Sequence, residues 1–212
     1  MKVVEIGAQD VNGSVRDFTP SHFEYIGVDF IEAKGVDIVL TDPYKLPFDD
    51  GSLDVVISSS CFEHSEFFWL LFMECMRVLK PKGLFYLNVP SNADFHRFPV
   101  DCWRFYPDSG RALVSWAKRN GMNPALLESF VSAQKGDVWN DFIGVFLKDE
   151  AHVADFPNRI MDSKRDFNNG LRYGSDEIFK YRVATEDQIW GSFIPQFVKD
   201  KLADLRRSRH RA

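Results

Sequence analysis

Five short apolar runs in the first 90 residues dominate the pattern of hydrophobic and polar positions. They are rich in Val, Ile, Leu and aromatic residues and stop at turn residues, as do strands that are buried on both faces. The runs cover residues 3–8, 25–29, 36–40, 53–58 and 84–89. The first four end near polar or acidic residues, and the ligands of open parallel sheets bind outside the carboxyl ends of the strands. We therefore expect a mostly parallel sheet with its functional site at that edge.

Apolar patterns between and after these runs predict two helices and a closing pair of strands. One helix covers 65–80, where a long apolar series stops before Pro81. A second covers 109–120, with its apolar positions on one face. The later runs 126–131 and 138–147 flank a Lys-Gly-Asp turn, which predicts an antiparallel pair that closes the sheet.

The segment between the second and third predicted strands, residues 30–35, is too short for a helix. Parallel neighbours usually need a connection of about a dozen residues. We therefore expect the third strand to lie irregularly at the edge of the sheet, with no helical crossover before it.

The chain changes character after about residue 148, where the apolar runs become short and polar segments intervene. We interpret 149–212 as an extension to a domain formed by 1–148. The extension still holds several aromatic residues, so it should pack as a lid, a docking segment or a contact in a homodimer. Its final basic run, 206–211, is predicted to be a solvated tail.

Composition narrows the class of protein. Of the 212 residues, 45% are hydrophobic and 27% charged, which is typical of one globular core. A net charge of −5 argues against nucleic acid as a partner. Cys61, Cys75 and Cys102 form no CxxC pair, so neither a disulfide framework nor a cysteine zinc site is expected. No window of about 18 apolar residues predicts a membrane span and the N-terminus does not resemble an export signal, so we expect a cytoplasmic protein.

The first predicted strand runs into a loop that contains Gly7 and Gly13. Glycine lets the backbone approach a ligand closely, because no side chain occupies that volume. The next predicted strand ends at Asp29, whose carboxylate can accept hydrogen bonds from both hydroxyls of a ribose, as an acidic residue does in dinucleotide folds. The glycine spacing does not match GxGxxG, which disfavours a nicotinamide-dependent oxidoreductase.

Six sequence motifs follow one another in a recognisable order and approximate spacing. They are Glu5-Ile6-Gly7, Gly27-Val28-Asp29, Asp42 through Phe48, Asp50 through Val56, Glu63-His64 and Arg77 through Gly83. Together they resemble the small methyltransferase-domain branch of the class I S-adenosylmethionine (SAM)-dependent methyltransferases. The resemblance implies a doubly wound, Rossmann-like α/β fold with an antiparallel closing strand, and SAM as the cofactor of residues 1–148. A further stretch, 96–107, resembles methyltransferase-like proteins of glycan and secondary-metabolite pathways.

The resemblance also implies a cofactor site along the strand ends. Glu5 and Gly7 would border the methionine part of SAM. Asp29 would bind the ribose, Asp42 would meet the adenine amino group, and Leu46 would form part of an apolar wall beside the adenine. The set also includes Ala8 and Asp10, which stand in the family's usual glycine-rich loop, the loop residue Gly13, and Ser59 beside the sulfonium. The predicted cofactor residues are therefore Glu5, Gly7, Ala8, Asp10, Gly13, Asp29, Asp42, Leu46 and Ser59.

Methyl transfer needs in-line placement of the acceptor and, where the acceptor is a hydroxyl, a base. The candidate catalytic residues are His64, His96 and Asp101. Structural alternatives stay open, because His64 could bond to backbone, and His96 and Asp101 could pair with arginines of their own loop. No tight ligand motif is present, so no metal site is predicted. The same loop offers polar and aromatic candidates for substrate binding, which are Arg97, Trp103, Arg104 and Tyr106.

These features favour transfer of a methyl group from SAM to a hydroxyl or amine of a small polar acceptor. We expect a saccharide or a nucleotide-linked sugar as the acceptor, because the predicted loop mixes groups that suit hydroxyls and phosphates. The altered glycine loop and the aromatic residues of the extension leave a second hypothesis open. In that hypothesis the chain keeps the SAM-binding fold without turnover and serves as the partner of another enzyme.

Overall fold

An eight-stranded sheet forms the centre of the protein, in a computed structural model that describes residues 1–11, 13–134 and 139–184. The strands are β1 (Lys2–Ile6), β2 (Glu24–Asp29), β3 (Ile38–Val39), β4 (Leu53–Ser59), β5 (Leu79–Pro90), β6 (Ala125–Ser132), β7 (Asp141–Leu147) and β8 (Phe167–Arg172). Their order across the sheet is β3-β2-β1-β4-β5-β7-β6-β8. The first five are parallel, whereas β7, β6 and β8 pair antiparallel. The predicted mostly parallel α/β fold with antiparallel closing strands is confirmed.

Two helices, α1 (Phe68–Val78) and α2 (Ser109–Arg119), contact each other and join the main hydrophobic core of the sheet. Val4 and Ile6 of β1 are 0% and 3% exposed within that core. Alternate residues of a strand point to opposite faces, so this helix-covered face takes the even-numbered positions of β1. Both predicted helices are confirmed, although the first is shorter than 65–80.

The chain passes from α1 into β5 without a loop. The strand begins at Leu79, which pairs with Leu53 of β4, whereas the apolar run had suggested a start near residue 84. The register shifts before Leu84 pairs with Val55. The intervening Pro81 has no amide hydrogen for a ladder bond, which accounts for an irregularity at this point.

The connection from β2 to β3 contains no helix, as the short gap predicted. Strand β3 is only two residues long and lies at the edge of the sheet. The loop before β3 folds back over β2. A Cβ added at Gly27 would lie only 2.2 Å from the carbonyl oxygen of Gly35 in that loop. Glycine at position 27 therefore permits this close approach of loop to strand.

The C-terminal part of the described chain completes the antiparallel side of the sheet. Strand β8 pairs with β6, and the short helix α3 (Ile160–Ser163) precedes it. The Glu128 side chain, 2% exposed, accepts hydrogen bonds from the first two amides of α3, those of Ile160 and Met161. The division into 1–148 and 149–212 stays a prediction. The predicted basic tail, 206–211, lies outside the described residues. Within the part of the chain that the structure describes, no helix is long and apolar enough to cross a membrane.

Candidate functional site

The parallel strands β1, β2, β4 and β5 end at one edge of the sheet, where the loops that follow them form two neighbouring halves. We call the loops after β1, β2 and β3 the cofactor half (residues 7–23, 30–37 and 40–52). The loops after β4 and β5 form the acceptor half (residues 60–67 and 91–108). All but one of the predicted site residues lie in these loops or at the strand ends that lead into them, and the exception, Glu5, lies one residue before the end of β1.

Asp29 is the last residue of β2 and is 7% exposed. Its carboxylate accepts hydrogen bonds from the amides of Gln9, at 3.3 Å, and Phe30, at 2.7 Å. These bonds join the ends of β1 and β2 and orient the carboxylate. Each oxygen keeps acceptor capacity, since a carboxylate offers about four lone-pair sites.

Gly7 begins the loop after β1 with a φ of +78°, which a glycine adopts without strain. A Cβ at this position would lie 2.5 Å from the Cβ of Cys61, so the two loops pack tightly. Burial raises the pKa of the Cys61 thiol, and the nearby negative charges of Glu63, Asp29 and Glu5 raise it further. The Cys61 thiol therefore lies among three carboxyl groups at the boundary of the two halves.

Glu5 is buried in β1 and faces the sheet surface opposite the helices. Its carboxylate accepts a 2.7 Å hydrogen bond from the Tyr25 hydroxyl, and Arg16 stacks 4.9 Å from the centre of the Tyr25 ring. Burial raises the pKa of Glu5, although the bond from Tyr25 opposes that shift. Arg16 in turn bonds to Asp37. The carboxylate of Glu5 is therefore already bonded within the protein, and its predicted contact with methionine stays a prediction.

The rest of the loop after β1 is fastened to the loop after β2. The Asp10 carboxylate accepts from the Gly13 amide at 2.9 Å and pairs with Lys34 at 2.6 Å. The Asp10 amide also donates to the Lys34 carbonyl, and the Ala8 carbonyl lies against Gly35. The side chain of Asp10 thus stiffens the loop. A Cβ at Gly13 would meet no atom within 4 Å, so that position is open.

Asp42 and Leu46 lie in the loop after β3, beside a cleft of about 510 Å³. Asp42 is exposed, and its carboxylate accepts a 2.8 Å bond from the amide of Tyr44. Leu46 is 2% exposed and belongs to the main core, which leaves little of its side chain for a ligand. The predicted contacts of both residues with adenine stay predictions.

Two residues of α1 hold this loop, and our sequence analysis assigned a role to neither. Arg77 forms two 2.7 Å bonds to the Glu74 carboxylate and donates to the carbonyls of Leu46 and Phe48. Glu74 also accepts from the Leu46 amide. The available signal was the spacing of three between Glu74 and Arg77, which places both on one face of a helix.

His64 ends a short 3₁₀ turn, Phe62–His64, that follows β4 in the acceptor half. Its Nδ1 bonds to the carbonyl oxygen of Val100, and its Nε2 lies 3.7 Å from Glu63 Oε1. A carbonyl can only accept, so Nδ1 carries the hydrogen and Nε2 has the free lone pair. Burial lowers the pKa of His64, which keeps the ring neutral.

Glu63 is 1% exposed, and its Oε2 has no hydrogen-bond partner. Burial raises the pKa of this carboxyl to about 8. Its backbone carbonyl accepts from the amides of Cys102 and Trp103, which brings the loop after β5 against the turn after β4. An unpaired buried carboxyl is rare in proteins and points to a functional role. The motif Glu63-His64 was noticed in the sequence, but only His64 was predicted to act.

Asp101 and Arg104 form a paired centre within the loop after β5. Arg104 binds both carboxylate oxygens of Asp101, at 2.6 and 2.9 Å, and lowers the pKa of that carboxyl to about 2. Asp101 also accepts from the His96 amide at 2.7 Å and lies 3.4 Å from His96 Nδ1. The structural alternative, in which these residues pair to stiffen the loop, is therefore present in the geometry. These contacts involve Nδ1 of His96 and do not use the other ring nitrogen, Nε2.

The remaining predicted residues of the acceptor half make separate contacts. Trp103 donates to the Ser65 carbonyl at 3.0 Å and packs on the aromatic residues of α1. Arg97 is exposed and bonds to the Pro99 carbonyl. Tyr106 lines a second cavity of about 270 Å³. Ser59 lies at the end of β4, where its hydroxyl is 3.4 Å from an amide nitrogen of Asn88.

Comparison with known families agrees with this arrangement. Residues 16–87 of the chain match the sequence model of the methyltransferase domain family. The match covers β2 to β5 and the loops between them, including Asp29, the Asp42 loop, the Glu63-His64 turn and Arg77. No curated protein sequence matches the chain.

Solved structures share the fold at low sequence identity. A chain from the complex of the Haloferax volcanii Trm112 methyltransferase activator with a methyltransferase is 17% identical, with a TM-score of 0.50 over 70% of this chain and 82% of that one. The Burkholderia thailandensis 1,6-didemethyltoxoflavin-N1-methyltransferase, solved with S-adenosylhomocysteine, is 13% identical, with a TM-score of 0.51 over 70% and 71%. The [4+2]-cyclase SpnF is 13% identical, with a TM-score of 0.51 over 70% of this chain and 75% of that one. At these identities the likeness concerns the fold.

Proposed function

Since the chain contains a class I SAM-dependent methyltransferase domain, we propose that it transfers a methyl group from SAM to a hydroxyl or amine of a small polar acceptor. A saccharide or a nucleotide-linked sugar is the acceptor class that we propose. The observation that supports catalysis best is the hydrogen bond from His64 Nδ1 to the Val100 carbonyl, which leaves the Nε2 lone pair of that ring in the acceptor half of the site.

The strand ends suit a cationic cofactor. Asp29 and Glu5 both act on the Cys61 thiol electrostatically, so their carboxyl groups lie close to the junction of β1, β2 and β4. Opposite charges attract more strongly in such a buried environment than in water. When bound there, SAM supplies an electrophilic methyl group on a sulfonium. Asp29 would hold the ribose hydroxyls with the acceptor capacity that its two amide bonds leave.

The acceptor half would position and deprotonate the nucleophile. As the acceptor oxygen or nitrogen forms its bond to the methyl carbon, the carbon–sulfur bond breaks and the acceptor loses a proton. His64 Nε2 is the proposed base, because the Val100 carbonyl fixes its tautomer and burial keeps it unprotonated. Arg97 and Tyr106, both exposed, are the proposed contacts for phosphate and hydroxyl groups of the acceptor.

The experiment combines SAM titration with product analysis. We expect calorimetry to show SAM binding, and we expect a panel of saccharides and nucleotide sugars to yield S-adenosylhomocysteine. His64→Gln should lower turnover about 100-fold or more, the usual contribution of a general base, with SAM affinity unchanged. His22→Gln, at an exposed histidine, is the matched control. A His64→Gln enzyme as active as wild type would overturn the assignment of the base.

A second candidate function is a non-catalytic partner module, and one contact favours it. Cys61 fills the space above Gly7, where the methionine end of SAM was expected. One structural relative comes from a complex with an activator protein, so partnering is compatible with this fold. The variant Cys61→Ala distinguishes the two functions. Failure of both wild type and Cys61→Ala to bind SAM would favour the partner module, whereas binding by either would favour the enzyme.

A further inference from the structure

Three side chains of the acceptor half lie close enough together to bind one metal ion. Glu63, His64 and His96 each offer one ligand atom, and these atoms lie within 4.8 Å of one another. The two imidazole rings meet edge to face, with their centres 4.9 Å apart. Glu63 and His64 belong to the turn after β4, whereas His96 comes from the loop after β5. Only the tertiary fold therefore assembles the group.

The hydrogen bonds at the outer side of each histidine are those of a metal ligand. Histidines that bind metal almost always donate their other ring N–H to a carbonyl or a carboxylate. His64 uses Nδ1 on the Val100 carbonyl. His96 places Nδ1 3.1 Å from the Asp94 carbonyl and 3.4 Å from the Asp101 carboxylate. Both Nε2 atoms are thereby left as lone-pair donors.

The third side chain has an oxygen atom that the protein leaves unsatisfied. Glu63 is 1% exposed, and no atom of the described chain bonds to its Oε2. Leaving a buried hydrogen-bonding atom without a partner is destabilising, and more so for a charged group. A bound ion is one of the few explanations for such a group in a folded protein. The backbone of Glu63 is held by the amides of Cys102 and Trp103, so the residue is fixed in place.

We propose that Glu63, His64 and His96 bind a divalent transition-metal ion through two imidazole nitrogens and one carboxylate oxygen. Imidazole suits zinc, iron and their neighbours in the first transition series, whereas magnesium and calcium prefer oxygen ligands alone. Three protein ligands leave at least one coordination position open. An acceptor hydroxyl or a water molecule would occupy it.

The consequence for methyl transfer rests on the proposed function. A bound cation lowers the pKa of a coordinated oxygen, so the ion would replace His64 as the group that promotes loss of the acceptor proton. The binding site itself needs no assumption about turnover. Asp101 is the positioning residue for His96, held in turn by Arg104.

The test uses the full-length chain without an affinity tag, first stripped with a chelator. Co²⁺ and Zn²⁺ are titrated separately, with the visible absorption of Co²⁺ reporting coordination and elemental analysis reporting stoichiometry. We expect about one ion per chain, as for a single three-ligand site. Glu63→Gln, His64→Gln and His96→Gln should each weaken Co²⁺ binding more than about tenfold, and Asp101→Asn about 10- to 100-fold. Circular dichroism checks that each variant is folded.

Two exposed residues supply matched controls, since His22→Gln and Glu66→Gln make the same chemical changes elsewhere. Both should bind the ions as wild type does. Absence of a Co²⁺ spectrum in the folded wild type, or equal binding by Glu63→Gln and Glu66→Gln, would overturn the metal site. Methyl transfer that persists after chelation, without ion binding, would remove the metal site alone. Ion binding without turnover on any acceptor would leave the metal site and count against the proposed function.

Discussion

The two halves of the site differ in how their charged groups are satisfied. In the cofactor half, Lys34 pairs with Asp10, and Arg77 of α1, paired with Glu74, donates to two carbonyls of the loop after β3. In the acceptor half, Asp101 is paired, yet Glu63 keeps an unpartnered Oε2 beside the imidazole of His64. Charged pairs, some of them from α1, hold the loops of the cofactor half, whereas the acceptor half contains a buried carboxylate oxygen without a hydrogen-bond partner.

This difference separates structural from functional charges. Proteins rarely leave buried polar atoms without partners, because the desolvation of such atoms is costly. Where one persists next to groups with shifted pKa values, a ligand or a reaction is the usual reason. We therefore expect substitutions in the braced half to change stability, and substitutions in the unsatisfied half to change function.

Arg77→Ala should have the largest effect on stability. It leaves Glu74 unpaired and two loop carbonyls, those of Leu46 and Phe48, without their donor. We expect a loss of about 2 kcal/mol, because the ion pair is partly exposed and each lost hydrogen bond contributes about 1 kcal/mol. Urea unfolding measures it, with Arg97→Ala at an exposed arginine as the control. Equal loss in both variants would show that the Arg77 contacts do not brace the loop.

The pH dependence of stability should come partly from Glu74. Burial alone would raise its pKa, but the bonds from Arg77 and the Leu46 amide outweigh burial and lower the pKa below 4.5. The unfolded chain then binds more protons on acidification, so this stability is present above pH 4.5 and is lost as the pH falls below it. The free-energy gap between wild type and Glu74→Gln should therefore narrow as the pH falls from 6 to 3. A constant gap would contradict the pairing.

In chelator-treated protein, Glu63→Gln should stabilise the fold or leave its stability unchanged, in contrast to Arg77→Ala. The amide removes a buried acid that has no partner for Oε2. We expect a gain of up to about 1 kcal/mol, as often follows removal of a functional group that the fold does not need. Thermal unfolding compares it with Glu66→Gln. A loss of stability above about 1 kcal/mol would show that Glu63 is structural.

Asp42→Ala should have the smallest effect on stability, because Asp42 is exposed and bonds only to its neighbouring turn. The change in unfolding free energy should stay within about 0.5 kcal/mol. SAM affinity should fall about fivefold, which corresponds to the loss of one hydrogen bond of about 1 kcal/mol. Asp49→Ala, in the same loop, is the calorimetric control. Unchanged SAM affinity would remove Asp42 from the predicted adenine contacts.

The sequence predicted the strands and helices well because each has its own periodic pattern. Strands β1, β2 and β4, the helices α1 and α2 and the missing helix before β3 follow from apolar runs, turn residues and a gap that is too short. Strand β8 was not predicted, since its sequence, Phe-Asn-Asn-Gly-Leu-Arg, has no alternation of apolar and polar residues and its Asn-Asn-Gly segment is typical of a turn. It joins the sheet by pairing with β6. The roles of Glu74 and Glu63 were missed as well. The spacing of three marks the pair of Glu74 with Arg77 but not the loop that this pair holds, and nothing local marks the burial of Glu63.

What the sequence determined by itself is the class of fold and the order of its motifs, because hydrophobic periodicity and strand-end residues act locally along the chain. The tertiary structure decided which charged groups pair with neighbours and hold loops, and which keep atoms without a hydrogen-bond partner. The Asp10 carboxylate pairs with Lys34, and the Glu5 carboxylate accepts a hydrogen bond from Tyr25. Glu63 lies near His96, which comes from another loop, and one of its oxygens has no hydrogen-bond partner. Hydrogen bonding and burial depend on neighbours that are distant in sequence, so only the folded chain distinguishes a brace from a site.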